Sequence, residues 1–218
     1  MIKKILLILF TCNSIFGFDY EANSGEILLI QIDNKEFKTN KMIISKNNKH
    51  YLVIGIPYSI KRKITNLGGY KIQINPIDYG ESRITINDDS KVNPSKENIE
   101  RAIRESKLLK DSIKLSDIKK IPDLDFLKPV NGIISSRYGK ARFINGMRRS
   151  PHLGLDIAAP IGTPVISPSN GKVILIGDFF YSGRFILIDH GSGLLTSYSH
   201  LDSLEVINNQ ILLSSILI

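Results

Sequence analysis

The sequence predicts a mainly β protein, with two β-rich regions joined by a linking helix. Three features of the 218 residues carry that prediction. Short apolar runs separated by turn residues fill 26–86 and again 130–206. Two of these runs, Tyr70 to Ile74 and Arg83 to Ile86, alternate apolar and polar with period two. One stretch alone, after Pro94-Ser95, has helical spacing.

In the first region the runs are Ile27-Leu28-Leu29-Ile30, Met42-Ile43-Ile44, Tyr51-Leu52-Val53-Ile54-Gly55-Ile56, Tyr70-Lys71-Ile72-Gln73-Ile74 and Arg83-Ile84-Thr85-Ile86. Asn47-Asn48 and Gly68-Gly69 are turn dipeptides, so residues 18–90 read as a small antiparallel β domain. Residues 91–124 read as a linking helix and linker. Ser95 is placed to cap the helix N-terminus, and Ile99, Ala102, Ile103 and Ile113 fall near one face. Its other positions are mostly charged, so the helix should lie against a larger body. Asp117 to Pro129 holds two prolines and little periodicity, which ends regular structure. The second region, 125–218, has the runs Ile133-Ile134-Ser135-Ser136, Thr163-Pro164-Val165-Ile166, Lys172-Val173-Ile174-Leu175-Ile176, Arg184-Phe185-Ile186-Leu187-Ile188 and Leu194 to His200, with glycines at nearly every junction.

Residues 1–17 read as a secretory signal peptide. Lys3 and Lys4 precede the apolar run Ile5 to Phe10, and Gly17 is a small residue for cleavage before Phe18. The run is broken by Thr11, Cys12, Asn13 and Ser14, well short of the ~20 apolar residues that span a bilayer. The expected product is periplasmic or held in the cell envelope, with no stable membrane span after cleavage. Cys12 is the only cysteine, and Leu9-Phe10-Thr11 before it are not the small residues of a lipoprotein site. The mature chain therefore has neither a disulfide nor a thiolate metal ligand, and any metal must be held by His and carboxylate. The formal net charge of +8 suits a polyanionic partner such as cell-wall carboxylates or anionic lipid. No Lys/Arg block is interleaved with aromatics, so nucleic acid is not an expected partner, and nothing in the sequence names a protein partner.

The segment with chemical content is Ser150-Pro151-His152-Leu153-Gly154-Leu155-Asp156-Ile157-Ala158-Ala159-Pro160. Gly154 and the Ala-Ala-Pro that follows disfavour a helix, and an extended strand would hold His152 and Asp156 ~13 Å apart. Both can reach one metal only if the chain bends between them, and Gly154 is placed to supply the bend. By spacing alone such a pair is commonplace.

The surrounding motifs are more specific. Phe126-Leu127-Lys128-Pro129-Val130, Ser136-Arg137-Tyr138-Gly139, Phe143-Ile144-Asn145-Gly146, the segment above, Ile188-Asp189-His190-Gly191-Ser192-Gly193 and Thr196-Ser197-Tyr198-Ser199-His200-Leu201 occur in order. From Asp125 to Val206 the chain resembles the lysostaphin-type zinc metallo-endopeptidases, secreted hydrolases of bacterial peptidoglycan. The upstream β region and helix are similar to the N-terminal portion of Gram-negative members. The resemblance implies an antiparallel β-sheet peptidase domain with a groove, zinc as cofactor, and His152 and Asp156 as metal ligands. It implies that His200 stabilises transition-state charge, that His190 is structural, and that D-alanyl-diaminopimelate cross-links are the substrate. His50, between Lys49 and Tyr51, reads as an exposed turn residue.

Family members continue with glycine-rich strand segments and a His-x-His motif that supplies the third zinc ligand and the general base. Here no His follows His200, and the stretch Ile207 to Ile218 is apolar and lacks the expected glycines. Asp202, Glu205 and His190 have no positional support as replacements. The sequence reading is therefore of a C-terminally truncated peptidase domain with an incomplete zinc site and impaired catalysis. The alternatives are a non-enzymatic peptidoglycan-binding or regulatory module, or a non-functional fragment. The N-terminal reading predicts that mass spectrometry of the exported protein finds a mature start at or near Phe18; an intact Met1 on a cytoplasmic protein would contradict it.

Overall fold

The computed structural model describes residues 17–32, 42–46, 48–60, 63–87, 89–117 and 119–218. Lys3, Lys4, the apolar run and Cys12 lie outside the described residues. Two compact units make up the chain, 1–78 and 79–218.

The first unit contains β1 (Tyr20–Asn23), β2 (Ile27–Ile32), β3 (Ile43–Lys46), β4 (Lys49–Gly55), β5 (Ile64–Leu67) and β6 (Tyr70–Asn75). Two three-stranded sheets, β2-β4-β3 and β1-β6-β5, share one core. The period-two pattern sets which side chains enter it. Leu28, Ile30 and Ile32 alternate inward from β2, Ile72 and Ile74 from β6, and Leu52 and Ile54 from β4. The β5–β6 hairpin turns on Gly68 and Gly69, both at positive φ (59° and 91°), the conformation a two-residue turn of this hand requires. β1 departs from the antiparallel expectation by running parallel to β6, pairing Tyr20 with Ile72 and Asn23 with Asn75. His50 lies within β4 rather than in a turn, with Nδ1 2.8 Å from Ser45 Oγ of the neighbouring strand.

The second unit begins with β7 (Glu81–Ile84), then α1 (Asp89–Val92), α2 (Lys96–Ile113), β8 (Ile133–Ser136), β9 (Ala141–Ile144), β10 (Met147–Arg149), β11 (Asp156–Ala158), β12 (Gly171–Phe179), β13 (Gly183–Gly191), β14 (Leu194–Leu201) and β15 (Ile211–Leu212). β7, which the sequence reading assigns to an N-terminal domain ending at 90, pairs in parallel with β9 and so belongs to this unit. Ser95 caps α2 as expected, its Oγ accepting from Asn98 N. The helix face turned to the sheet carries Arg101, Glu105 and Leu109. Ile99, Ile103 and Ile113 remain 47%, 63% and 43% exposed. The docked face is selected by polar bonds from Arg101 and Glu105 to the β12–β13 backbone, which the apolar pattern does not show.

The principal sheet has the order β14-β13-β12-β15. β13 is buried at every position from Phe185 to Gly191. Ile186 and Ile188 pack on one side with Val173, Val206, Leu212 and Ile218, while Phe185 and Leu187 pack on the other with Leu175 and α2's Leu109. Each such side chain contributes about 1.5–3 kcal/mol on burial.

The apolar tail is part of this core. β15 pairs with the start of β12, and Leu212 and Ile218 are almost fully buried. Where glycines are missing, Asn209 and Ser215 take positive φ themselves (66° and 71°), a conformation open to Asn and costlier for Ser.

At the end of β13, Asp189 ties down the segment before the sheet. Its carboxylate accepts from Ser116 Oγ (2.8 Å), Asp117 N (2.7 Å) and Gly191 N (2.9 Å). His190 is completely buried, with Nδ1 2.8 Å from Asn170 O and Nε2 2.8 Å from Thr196 Oγ1. The carbonyl can only accept, so the neutral ring carries its proton on Nδ1, and Thr196 donates to Nε2. Tyr198 in turn donates to Thr196 Oγ1 at 3.1 Å, and its own burial raises the phenol pKa to about 12. Both ring nitrogens are thus occupied inside the core, which is the environment of a structural histidine.

Burial lowers the His190 pKa below its ordinary 6.5, against a smaller opposing effect of the bond to Asn170. As pH falls below 6.5 the unfolded chain takes up this proton while the folded chain does not. The ring's contribution is therefore intact above that pH and is lost on acidification towards the folded pKa. A His190→Gln variant should be less stable at pH 7.5, yet lose less stability between pH 7 and 5.5 than the parent in urea titrations. Equal losses would show that another group governs the acid limb.

Candidate metal-binding and catalytic site

His152 lies in the loop between β10 and β11, and Asp156 opens β11. The loop is held from behind by two backbone bonds, Gly139 N to His152 O (2.7 Å) and His152 N to Lys140 O (2.9 Å). Gly139 is required there. It has φ +91°, and a Cβ would strike the ring of Tyr79, which packs edge-on against Tyr138 at 5.5 Å. β11 pairs antiparallel with β8, and the register shifts between Asp156 and Ile157, where Ser135 is an extra residue on β8.

The outcome is convergence, with His152 Nε2 3.0 Å from Asp156 Oδ1. The chain does bend at Gly154, but its φ is not left-handed, and a Cβ would sit an ordinary 3.6 Å from His152 Nε2. The loop as a whole, rather than glycine's freedom, makes the bend.

His152 is 8% exposed, whereas the Asp156 side chain is 57% exposed. The ring's other nitrogen, Nδ1, is 3.2 Å from Arg137 O and 3.3 Å from Ser136 Oγ. A proton on Nδ1 donated to that carbonyl leaves the Nε2 lone pair facing the carboxylate. A buried imidazole oriented by a backbone carbonyl, beside an accessible carboxylate, is a donor set that fits zinc. Ser136 stands opposite Asp156 in the β8–β11 register. Its proximity to Nδ1 comes from pairing twenty residues along the chain, and no local sequence signal announces it.

His200 is in a different sheet, near the end of β14, and is exposed. It lines an open pocket with Lys91, Arg101, Phe180, Tyr181 and Gly183, a lining that includes neither His152 nor Asp156. Asp202 is 3.9 Å from Arg184, Glu205 accepts from Ser203 Oγ, and His190 is enclosed in the core. Among the described residues no group of three or more His, Cys, Asp or Glu converges as a metal site.

Residues 150–214, which include His152, Asp156 and His200, match the sequence profile of peptidase family M23. The M23 match runs past Val206, where the sequence reading had the likeness stop, and so takes in β15 and most of the apolar tail. Peptidoglycan DD-endopeptidase ShyB of Vibrio cholerae is 44% identical over 61 residues, 28% of this chain and 14% of that protein. Peptidoglycan DD-endopeptidase ShyA of the same organism is 37% identical over 78 residues, 35% of this chain and 18% of that protein. The chain thus spans less than a fifth of the length of these curated relatives. Its fold is similar to a crystal structure of a candidate M23 peptidase from Pseudomonas aeruginosa, with a TM-score of 0.66 and 26% identity over 89% of this chain and 80% of that one.

The geometry predicts a graded response to zinc in competition titrations. His152→Ala should abolish specific binding, and Ser136→Ala should weaken it by less than about tenfold, because the Arg137 carbonyl still holds Nδ1 when the Ser136 hydroxyl is gone. Unchanged affinity in His152→Ala would remove the pair from consideration as ligands.

Proposed function

We propose that the M23 segment belongs to a zinc endopeptidase acting on peptide cross-links of bacterial peptidoglycan, in the periplasm or cell envelope. The observation that carries this reading is the 3.0 Å approach of His152 Nε2 and Asp156 Oδ1 inside the stretch matched by the family. The curated relatives support the substrate class by name, and a further relative of 40% identity over 58 residues is an Escherichia coli lipoprotein. Among the described residues no helix is long and apolar enough to cross a membrane.

His152 and Asp156 hold the metal in this reading. Bound zinc polarises a carbonyl and lowers the pKa of its water towards ~7. The Arg137 carbonyl keeps the His152 ring in its liganding orientation. His200 donates a hydrogen bond to the charge that develops on the scissile carbonyl oxygen, a contribution available only when the other groups are assembled.

Two protein donors are fewer than the three usual for catalytic zinc, and no His follows His200 in these 218 residues. A polypeptide of these residues alone therefore binds zinc weakly and turns over negligibly. Adding a C-terminal His-x-His segment supplies the third ligand and a general base, the latter worth ~100- to 10,000-fold in rate. The test is zinc content by mass spectrometry and muropeptide release from purified sacculi, with and without chelator. The 218-residue form should carry well under one zinc and release nothing measurable, and the extended form about one zinc with chelator-sensitive release. Chelator-sensitive release by the 218-residue form would mean that another residue completes the site.

A further inference from the structure

We propose that Glu105, Arg101 and Lys91, which lie on α2 and α1 outside the M23 match, are positioning residues for His200; the proposal rests on the role given to His200 above. Glu105 and Lys91 hold the backbone of the turn between β12 and β13, and Arg101 holds the end of β12 that leads into it. Glu105 Oε2 accepts from Phe180 N at 2.9 Å, and Arg101 donates to Asp178 O at 2.7 Å. Arg101 Nε also pairs with Glu105 Oε1 at 2.7 Å, so the two side chains brace each other, and the carboxylate is only 17% exposed. Lys91 donates to Phe180 O, and its ammonium lies 3.8 Å from the centre of the Phe180 ring.

The clamped turn is what His200 rests on. Ser182 O, in that turn, accepts from His200 N at 2.8 Å. A Cβ on Gly183 would lie 3.7 Å from His200 Nδ1, so the ring sits beside the turn as well. His200 needs such support because its φ is +60°, an unfavourable backbone state for a residue with a Cβ. It also occupies a bulge. The β13–β14 register passes from Arg184 opposite Leu201 to Ile186 opposite Tyr198, leaving Ser199 and His200 against Phe185 alone. A bulged residue off the ladder takes its orientation from the contacts that remain, and here these include Ser182 O and Gly183. The helices thus fix the turn, and the turn fixes the histidine.

Amide hydrogen exchange in the full chain tests this coupling without needing turnover. In Glu105→Ala the His200 amide should lose at least tenfold in protection and the His200 ring Cε1 proton should shift, while Ile186 and Ile188 amides in β13 keep theirs. Glu105→Gln, which retains an acceptor, should restore most of the protection. Asp111→Asn, which breaks an exposed α2 ion pair with Lys114 remote from the turn, should change nothing at His200. Faster exchange at Phe180 with His200 unchanged overturns the proposal, as does an equal loss at His200, Ile186 and Ile188. Should Glu105→Ala not fold, Arg101→Lys and Lys91→Ala, which leave the Glu105 bond to Phe180 N in place, are judged by the same criteria. A positive exchange result with no effect of His200→Ala on peptidoglycan hydrolysis by the zinc-loaded extended protein keeps the clamp and removes the catalytic reading of His200. The reverse pattern removes the clamp alone.

Discussion

Burial of β13 on both faces is the constraint from which the second unit follows. A strand whose consecutive residues Phe185, Ile186, Leu187 and Ile188 are all enclosed needs cover on two sides, and an ordinary antiparallel sheet covers one. On one side the cover is Val206, Leu212 and Ile218 from the chain after β14. On the other, Leu109 of α2 joins Leu175 and Phe179. The helix and the apolar tail are therefore integral to the sheet, and the bonds from Arg101 and Glu105 that orient the helix become possible once it is in place.

Two of the histidines within the family motifs, His190 and His152, show how environment separates structural from chemical roles. His190 has both nitrogens committed and no exposure, with a proton arrangement that closes without any outside partner. His152 has one nitrogen turned to the protein and the other turned to an exposed carboxylate, a half-committed state that a cation would complete. Burial alone does not distinguish them, since His152 is also buried. What distinguishes them is the side from which the second nitrogen is reached.

Local features were legible in the sequence. Period-two alternation placed Ile72 and Ile74, Ser95 marked the helix start, and Gly68-Gly69 marked a turn, because each depends on neighbours a few residues away. The need for a bend between His152 and Asp156 was also readable, since chain geometry allows no other way for them to meet. The parallel pairings of β1 with β6 and β7 with β9 were not, because they join strands dozens of residues apart with no turn to announce them. The docked face of α2 was hidden for a related reason: its selecting bonds go to backbone atoms of a distant turn, and backbone atoms leave no mark in a sequence. The tail looked foreign because its glycines were absent, yet Asn209 and Ser215 adopt the conformations themselves.

The Asp189 carboxylate carries a lesson about where this domain can be cut and transplanted. Two of its three bonds come from Ser116 and Asp117, while Ser192 reaches Lys120 O and donates its own N–H to Asp117 O. A fragment that starts at residue 125, the boundary suggested by the sequence motifs, would strip those partners and leave the Asp189 carboxylate with the Gly191 N–H. In energetic terms the module starts ahead of Ser116. Recombination or domain shuffling that respected only the peptidase motifs would move an unfinished sheet, and a portable unit must carry its own approach segment with it.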